Sequence, residues 1–235
     1  MLRISLVGRA LAVALMATAL AAVGQPLAAP ASAQPVYVTS VVIDDLASNP
    51  VAYGTTVPIR GQVVYPDPET GRDYAAGGRV TLDRRDNGST DWQTVGSTDM
   101  SGSFPAFDFD VVTTRIATYR VSYLGDIDFL PSSDSLLLEV ARKVTGRISE
   151  PRDNVYVLAG RVSPSYAGRS ITLLRQKCSS CAWRAYTSRL TTSTGGYRFR
   201  LPLPPEGIHY FKARVPADVT FVKSLSPTWH LIRIL

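Results

Sequence analysis

Val80-Thr-Leu-Asp-Arg84 and Ile171-Thr-Leu-Leu-Arg175 are two versions of one short strand, and each is followed, eight residues past its arginine, by a tryptophan, Trp92 or Trp183. One more residue of offset brings Phe107 onto Phe199, Asp126 onto Asp218 and Phe129 onto Phe221. A pattern repeated after roughly a hundred residues implies two similar domains, each long enough to bury a core of its own. The surfaces are not repeated. From Gln34 to Ala141 there are 7 Arg and no Lys against 15 Asp and Glu, a net of −8, whereas Arg142 to Leu235 has 16 Arg and Lys against 4 acids, a net of +12. Opposite charge on a common plan implies different partners for the two halves, or each half as the other's partner.

Around these strands, short runs rich in Val, Ile, Thr, Tyr and Phe alternate with clusters of Gly, Pro, Asn, Asp and Ser, and no stretch holds the spacing of an amphipathic helix. The pattern predicts strands near 37–43, 55–64, 79–84, 92–97, 106–112, 118–124 and 135–141. A second set is expected near 144–149, 155–162, 170–176, 182–190, 197–201, 210–215 and 228–234. Seven short strands per copy describe an all-β chain of two tandem antiparallel β-sandwiches, an acidic one over 34–141 and a basic one over 142–235. No Pro/Gly/Ser-rich linker intervenes at Arg142-Lys143. The last strand of the first copy is therefore expected to run almost directly into the next, with little hinge freedom.

Residues 1–33 read as a signal peptide: Arg3 and Arg9 in a basic start, the uncharged apolar run Leu11 to Val23, and Ala31-Ser-Ala33 as a small-x-small cleavage site before Gln34. An uncleaved anchor is the alternative, but the run is shorter than the ~20 residues that span a bilayer. Cleavage near Ala33-Gln34, secretion and no membrane span in the mature chain are expected. The excess of Arg (21) over Lys (4), with an Ala-rich leader, points to a GC-rich bacterial source.

The first copy carries Val51-Ala-Tyr-Gly-Thr-Thr56 before a strand containing Arg60-Gly-Gln-Val63, then Val80-Thr-Leu, Trp92, Ser101-Gly-Ser-Phe104 and Tyr119-Arg-Val-Ser-Tyr-Leu-Gly-Asp126 with Phe129. In these turn glycines and core positions the chain resembles the immunoglobulin-like repeats of secreted bacterial surface proteins. The resemblance covers most of residues 41 to 235 and implies a fold and a modular role at the cell exterior, with no catalytic residue. The second copy departs from the pattern, with Ala217 in the place of Gly125.

Cys178-Ser-Ser-Cys181 occupies the position of the turn-forming run Asp86-Asn-Gly-Ser-Thr-Asp91. Two cysteines bracketing a hairpin turn in an exported chain read as a disulfide that pins the register. Its loop is very short, so its entropic gain falls below the roughly 3 kcal/mol of a 15-residue loop. A redox Cys-x-x-Cys pair would need a helix N-terminus beside it, and no helix is expected there. Zinc would need His209 and His230 at spacings unlike those of known fingers.

Searches for catalysis find no Gly-x-Ser-x-Gly, no phosphate-binding glycine loop opening a helix and no His-Glu-x-x-His. His209 and His230 fall at or within strands and read as structural. The carboxylates Asp44-Asp45, Asp108 with Asp110, and Asp126 with Asp128 could serve calcium or glycoside hydrolysis, but solvated strand faces and turns account for them without either. No cofactor or metal is expected. Asn87-Gly-Ser89 fits a glycosylation sequon, and Asn-Gly also suits a hairpin tip. The shared position of Trp92 and Trp183 favours a core role over sugar stacking.

The basic copy holds the candidate site. Alternation sends Tyr197, Phe199 and Leu201 to one face and Arg198 and Arg200 to the other, and likewise buries Phe211, Ala213 and Val215 beneath outward Lys212 and Arg214. Pro202-Leu-Pro-Pro-Glu-Gly-Ile-His209 joins the two strands. If they pair as neighbours, Arg198, Arg200, Lys212 and Arg214 share one outer face, whose mutual repulsion an anionic partner would relieve; a solvated basic surface is the bland alternative. The first copy is expected to place Ala106 and Asp108 opposite Arg198 and Arg200 in this alignment, and Arg120 and Ser122 opposite Lys212 and Arg214. The sequence thus implies a secreted, non-enzymatic binding or structural module whose basic domain attaches to an anionic envelope polymer or a partner protein. Head-to-tail self-association through acidic and basic domains is the alternative. No specific nucleic-acid binding is expected, for want of a recognisable motif.

Overall fold

A computed structural model describes residues 36–202 and 206–233. The expected signal peptide, 1–33, lies outside them, as do residues 203–205 of the proline-rich connection. Among the described residues the chain is all β with no helix, and its sheets do not close into a barrel.

The first half runs through β1 (Ser40–Ile43), β2 (Val51–Ala52), β3 (Thr56–Pro66), β4 (Asp73–Ala75), β5 (Gly78–Asp86), β6 (Gln93–Met100), β7 (Phe107–Val112), β8 (Ala117–Tyr123), β9 (Ser132–Leu138) and β10 (Val140–Ala141). Strand β3 pairs with β1 on one side and with β7 and β4 on the other, and the second sheet has the order β6-β5-β8-β9. The second half runs through β11 (Lys143–Arg152), β12 (Val155–Ser163), β13 (Ser170–Gln176), β14 (Arg184–Leu190), β15 (Gly196–Arg200), β16 (Gly207–Val215), β17 (Ser224–Leu225) and β18 (Trp229–Arg233). Its sheets are β11-β12-β15 and β14-β13-β16-β17, with β18 also on β16. The central pairings of the first half recur in the same order in the second.

Period-two alternation explains the cores. Ile59 and Val63 of β3, Val80 and Leu82 of β5, Phe107 of β7 and Val121 of β8 are buried in the first half. Leu158, Ile171, Leu173, Phe199, Phe211 and Val215 are buried in the second, and the two sets form separate apolar clusters. Each half places a glycine under an aromatic ring: Gly61 lies opposite Phe107 and Gly160 opposite Tyr197. A Cβ would come within 2.6 Å of the Phe107 ring or 2.7 Å of the Tyr197 hydroxyl, so glycine is the residue that fits. This register corrects the expected alignment by two residues. Phe107 corresponds to Tyr197, and the counterparts of Arg198 and Arg200 are Asp108 and Asp110. A two-residue slip keeps every side chain on its face, which is why alternation alone did not reveal it.

All seven strands expected in each half are present. The additional strands β2, β4 and β17 are two or three residues long, too short to leave a period. The single strand expected over 135–141 divides at Glu139: β9 stays beside β8, while β10 crosses to lie parallel to β2.

Only Arg142 separates β10 from β11. The loop after β16 reaches back to the first half, where Phe221, 3% exposed, joins the first core and meets Tyr53 edge-on at 6.1 Å. Backbone bonds from Ile116 N–H to Thr220 and from Val222 N–H to Val140 seal the contact, and the Asn87 side-chain amide donates to the Val219 carbonyl. Arg142 is buried beneath this loop, 3.0 Å from Asp218 and 4.0 Å above the Phe221 ring.

Candidate anion-binding faces

The four expected contacts fall on two different sheets of the second half. Strand β15 pairs with β12 and β16 with β13, so Arg198 and Arg200 point out from one sheet and Lys212 and Arg214 from the other. The inward partners Tyr197, Phe199, Phe211, Ala213 and Val215 are buried as alternation predicts; the error lay in the pairing. Strand β15 ends at Arg200 in one sheet and β16 begins at Gly207 in the other, where a hairpin was expected.

The face carrying Arg198 and Arg200 is richer than the sequence suggested. Across β15-β12-β11, Arg198 lies in register with Ala159 and Arg147, Arg200 with Val157 and Ser149, and Gly196 with Arg161 and Thr145. Ala159 at the centre leaves room between the Arg147 and Arg198 guanidinium groups. Arg152, Arg198 and Arg200 ring a shallow pocket of about 390 Å³ floored by Pro151, Val155 and Val157. Among the described residues, none of Arg147, Arg152, Arg161, Arg198 and Arg200 forms an ion pair. Of the nearby acids, Glu150 accepts from the Asn154 N–H in the turn. Arg147 and Arg161 could have been found by carrying the alternation along Lys143 to Ser149 and Val155 to Val162.

The corresponding face of the first half has the opposite sign. Asp108 and Asp110 project from β7, and Arg60 of β3 is bound to Asp108 at 2.7 Å. That bond holds the Arg60 guanidinium pKa above its ordinary value.

On the other sheet, Trp92 and Trp183 are only partly buried, contrary to the core role expected for them. Each lies under cations: Arg85 and Arg120 stand 4.6 and 4.3 Å from the Trp92 ring, and Lys212 stands 4.8 Å from Trp183. A bulge between Leu82 and Asp83, repeated between Leu173 and Leu174, shifts the strand register beside both rings. In the first half Asp83 closes the arrangement, binding Arg120 at 2.9 Å and accepting from Thr94. Burial pushes the Asp83 carboxyl pKa up, but the bonds from Thr94 and Arg120 outweigh it and hold it below the usual range. Leu174 stands in the place of Asp83 in the second half, so Lys212 keeps its ring and, among the described residues, forms no ion pair.

Cys178 and Cys181 are joined in a disulfide. Gln176 reinforces the hairpin, its amide donating to the carbonyls of Ser179 and Cys181. His209 is buried beside Arg175, with 3.3 Å between Nδ1 and a guanidinium nitrogen, while the exposed His230 meets the Tyr210 ring edge-on. Asp126 Oδ1 accepts the N–H groups of Asp128 and Phe129, and Asp218 Oδ1 repeats this with Thr220 and Phe221; turn closure accounts for the aspartate at both positions. No family model matches the chain, and no curated protein is significantly similar to it.

Proposed function

We propose that this is a secreted, non-enzymatic protein of two tandem immunoglobulin-like domains, in which the basic second domain attaches to an anionic polymer of the cell envelope. The carrying observation is the arginine face of β11, β12 and β15: five guanidinium groups without an ion pair among the described residues, on the sheet whose counterpart is acidic. Same-side residues recur about every 7 Å along a strand and neighbouring strands lie about 5 Å apart. Such a grid suits a polymer with repeated charges better than a single small anion. The shared strand order of the halves supports the tandem reading, and the leader pattern supports export.

The test is retention of the purified protein on an immobilised polyuronate as salt is raised. Binding should weaken steeply through screening, and changing Arg147, Arg161, Arg198 and Arg200 together to Ser should reduce affinity at least tenfold. Equal retention of that variant would overturn the assignment of the face. Charge complementarity with Asp108 and Asp110 supports the second reading, in which one molecule's acidic face meets another's arginine face. In that case the protein sediments as a salt-sensitive oligomer, Asp108→Lys with Asp110→Lys dissociates it, and the polymer is not retained.

A further inference from the structure

The hairpin β13–β14 carries a second cleft, on the sheet opposite the arginine face, of about 730 Å³ and lined by Arg175, Lys177, Cys181, Ala182, Arg184, Ala185 and Tyr186. Its counterpart in the first half shows what has changed. There Arg84 binds Asp86 at 2.7 Å, Arg115 approaches the same carboxylate at 3.4 Å, and Gln93 lies opposite Arg84. In the second half Arg175 retains the arginine, Lys177 replaces Asp86, Arg184 replaces Gln93 and faces Arg175, Ala182 replaces Asp91 and Leu174 replaces Asp83. Every acid of the hairpin has gone, and its cations number four, Arg175, Lys177, Arg184 and Arg189, against three, Arg79, Arg84 and Arg85, although Gln176 stands in the place of Arg85. Among the described residues, none of Arg175, Lys177 and Arg184 forms an ion pair, nor does Glu206, the acid nearest to β16 in sequence.

An aromatic side chain completes the cleft. Leu173 pairs with Thr187 and Leu174 with Ala185, so Tyr186 is the unpaired extra residue of the bulge. Bulges re-aim side chains, and Tyr186 is 46% exposed; the first half has Val95 at this position. The disulfide and the Gln176 bonds hold the hairpin tip, so little ordering remains to oppose binding.

We infer that this cleft binds a sugar acid, with Lys177, Arg175 and Arg184 receiving the carboxylate and the Tyr186 ring packing on the apolar face of the pyranose. Three cations around one tyrosine match a ligand with one anionic group and one flat C–H face. The cleft shares no residue with the arginine face, so the two readings fail separately.

The experiment uses the purified protein carrying Arg147→Ser, Arg161→Ser, Arg198→Ser and Arg200→Ser, to silence the other face, titrated with a uronic-acid disaccharide and followed by amide chemical shifts and calorimetry. Saturable binding is expected, with shifts confined to residues 174–187. Lys177→Ser and Arg184→Ser should each weaken it about fivefold, and reduction of Cys178–Cys181 should weaken it without unfolding the protein. Tyr186→Ala should weaken the disaccharide about fivefold and leave inorganic phosphate unaffected. Absence of uronate binding, or binding unchanged in Lys177→Ser and Arg184→Ser, overturns the site. Glycerol phosphate binding as tightly as the uronate, with Tyr186→Ala silent, overturns the sugar-acid assignment.

Discussion

Phe221→Ala should destabilise the protein by about 4 kcal/mol, the range for emptying a buried phenylalanine site, and the loss should appear in the first half although the residue belongs to the second. Phe221 is 3% exposed within the first core, and Arg142 loses its aromatic platform at the same time. Urea unfolding measures the loss, and hydrogen exchange locates it: the amides of Ile116 and Val222, bonded across the junction, should lose protection first. Phe129→Ala is the control. Phe129 occupies the corresponding turn but is only half-buried, against Tyr37 and Tyr65, and should cost about 2 kcal/mol. A Phe221→Ala loss under about 1 kcal/mol would show that the first core closes without it.

Asp218→Asn should cost about 3 kcal/mol, because it removes the carboxylate from a buried cation. Arg142 is 7% exposed and Arg169 reaches the same oxygen at 2.9 Å. Asparagine keeps an oxygen for the turn, so the loss reports charge. Burial pushes the Asp218 pKa up, but the Thr220 N–H and the guanidinium groups of Arg142 and Arg169 outweigh it and leave it below the ordinary carboxylate value. A carboxyl held low in the folded state contributes stability that is complete above its unfolded pKa and is lost as pH falls through the folded one. The native protein should therefore lose stability from about pH 4 downward, and Asp218→Asn should show a shallower decline there. Parallel acid-denaturation curves would show that Asp218 contributes nothing to the acid sensitivity.

Faces were legible in the sequence, and neighbours were not. In Phe211-Lys-Ala-Arg-Val215 the alternation alone identifies which side chains are buried, because period two is a property of the strand itself. Whether β15 lies beside β16 depends on the partners waiting at β12 and β13, and no local pattern encodes that. The tryptophans were misplaced for a related reason: a large aromatic residue suits a core, but the bulges beside Trp92 and Trp183 alter the register, and cations cover their rings at the surface. Phe221 was aligned correctly with Phe129, yet its socket is built by Tyr53 and Val140, far away in the chain. The cleft at Tyr186 escaped notice because its signal was the loss of Asp83, Asp86 and Asp91 from one hairpin, visible only once the halves are superposed strand by strand.

The reach of Phe221 into the first core also limits how this chain can be rearranged. Cutting at Arg142 would leave one fragment with a hole and the other with a bare aromatic plug, so neither piece is a self-sufficient building block. Recombination that moved the second half beside an unrelated neighbour would have to supply a socket for the plug, and duplication of the first half alone would leave one unfilled. The two halves are a matched couple, and inheritance or engineering that treats them as interchangeable beads breaks the joint that holds both.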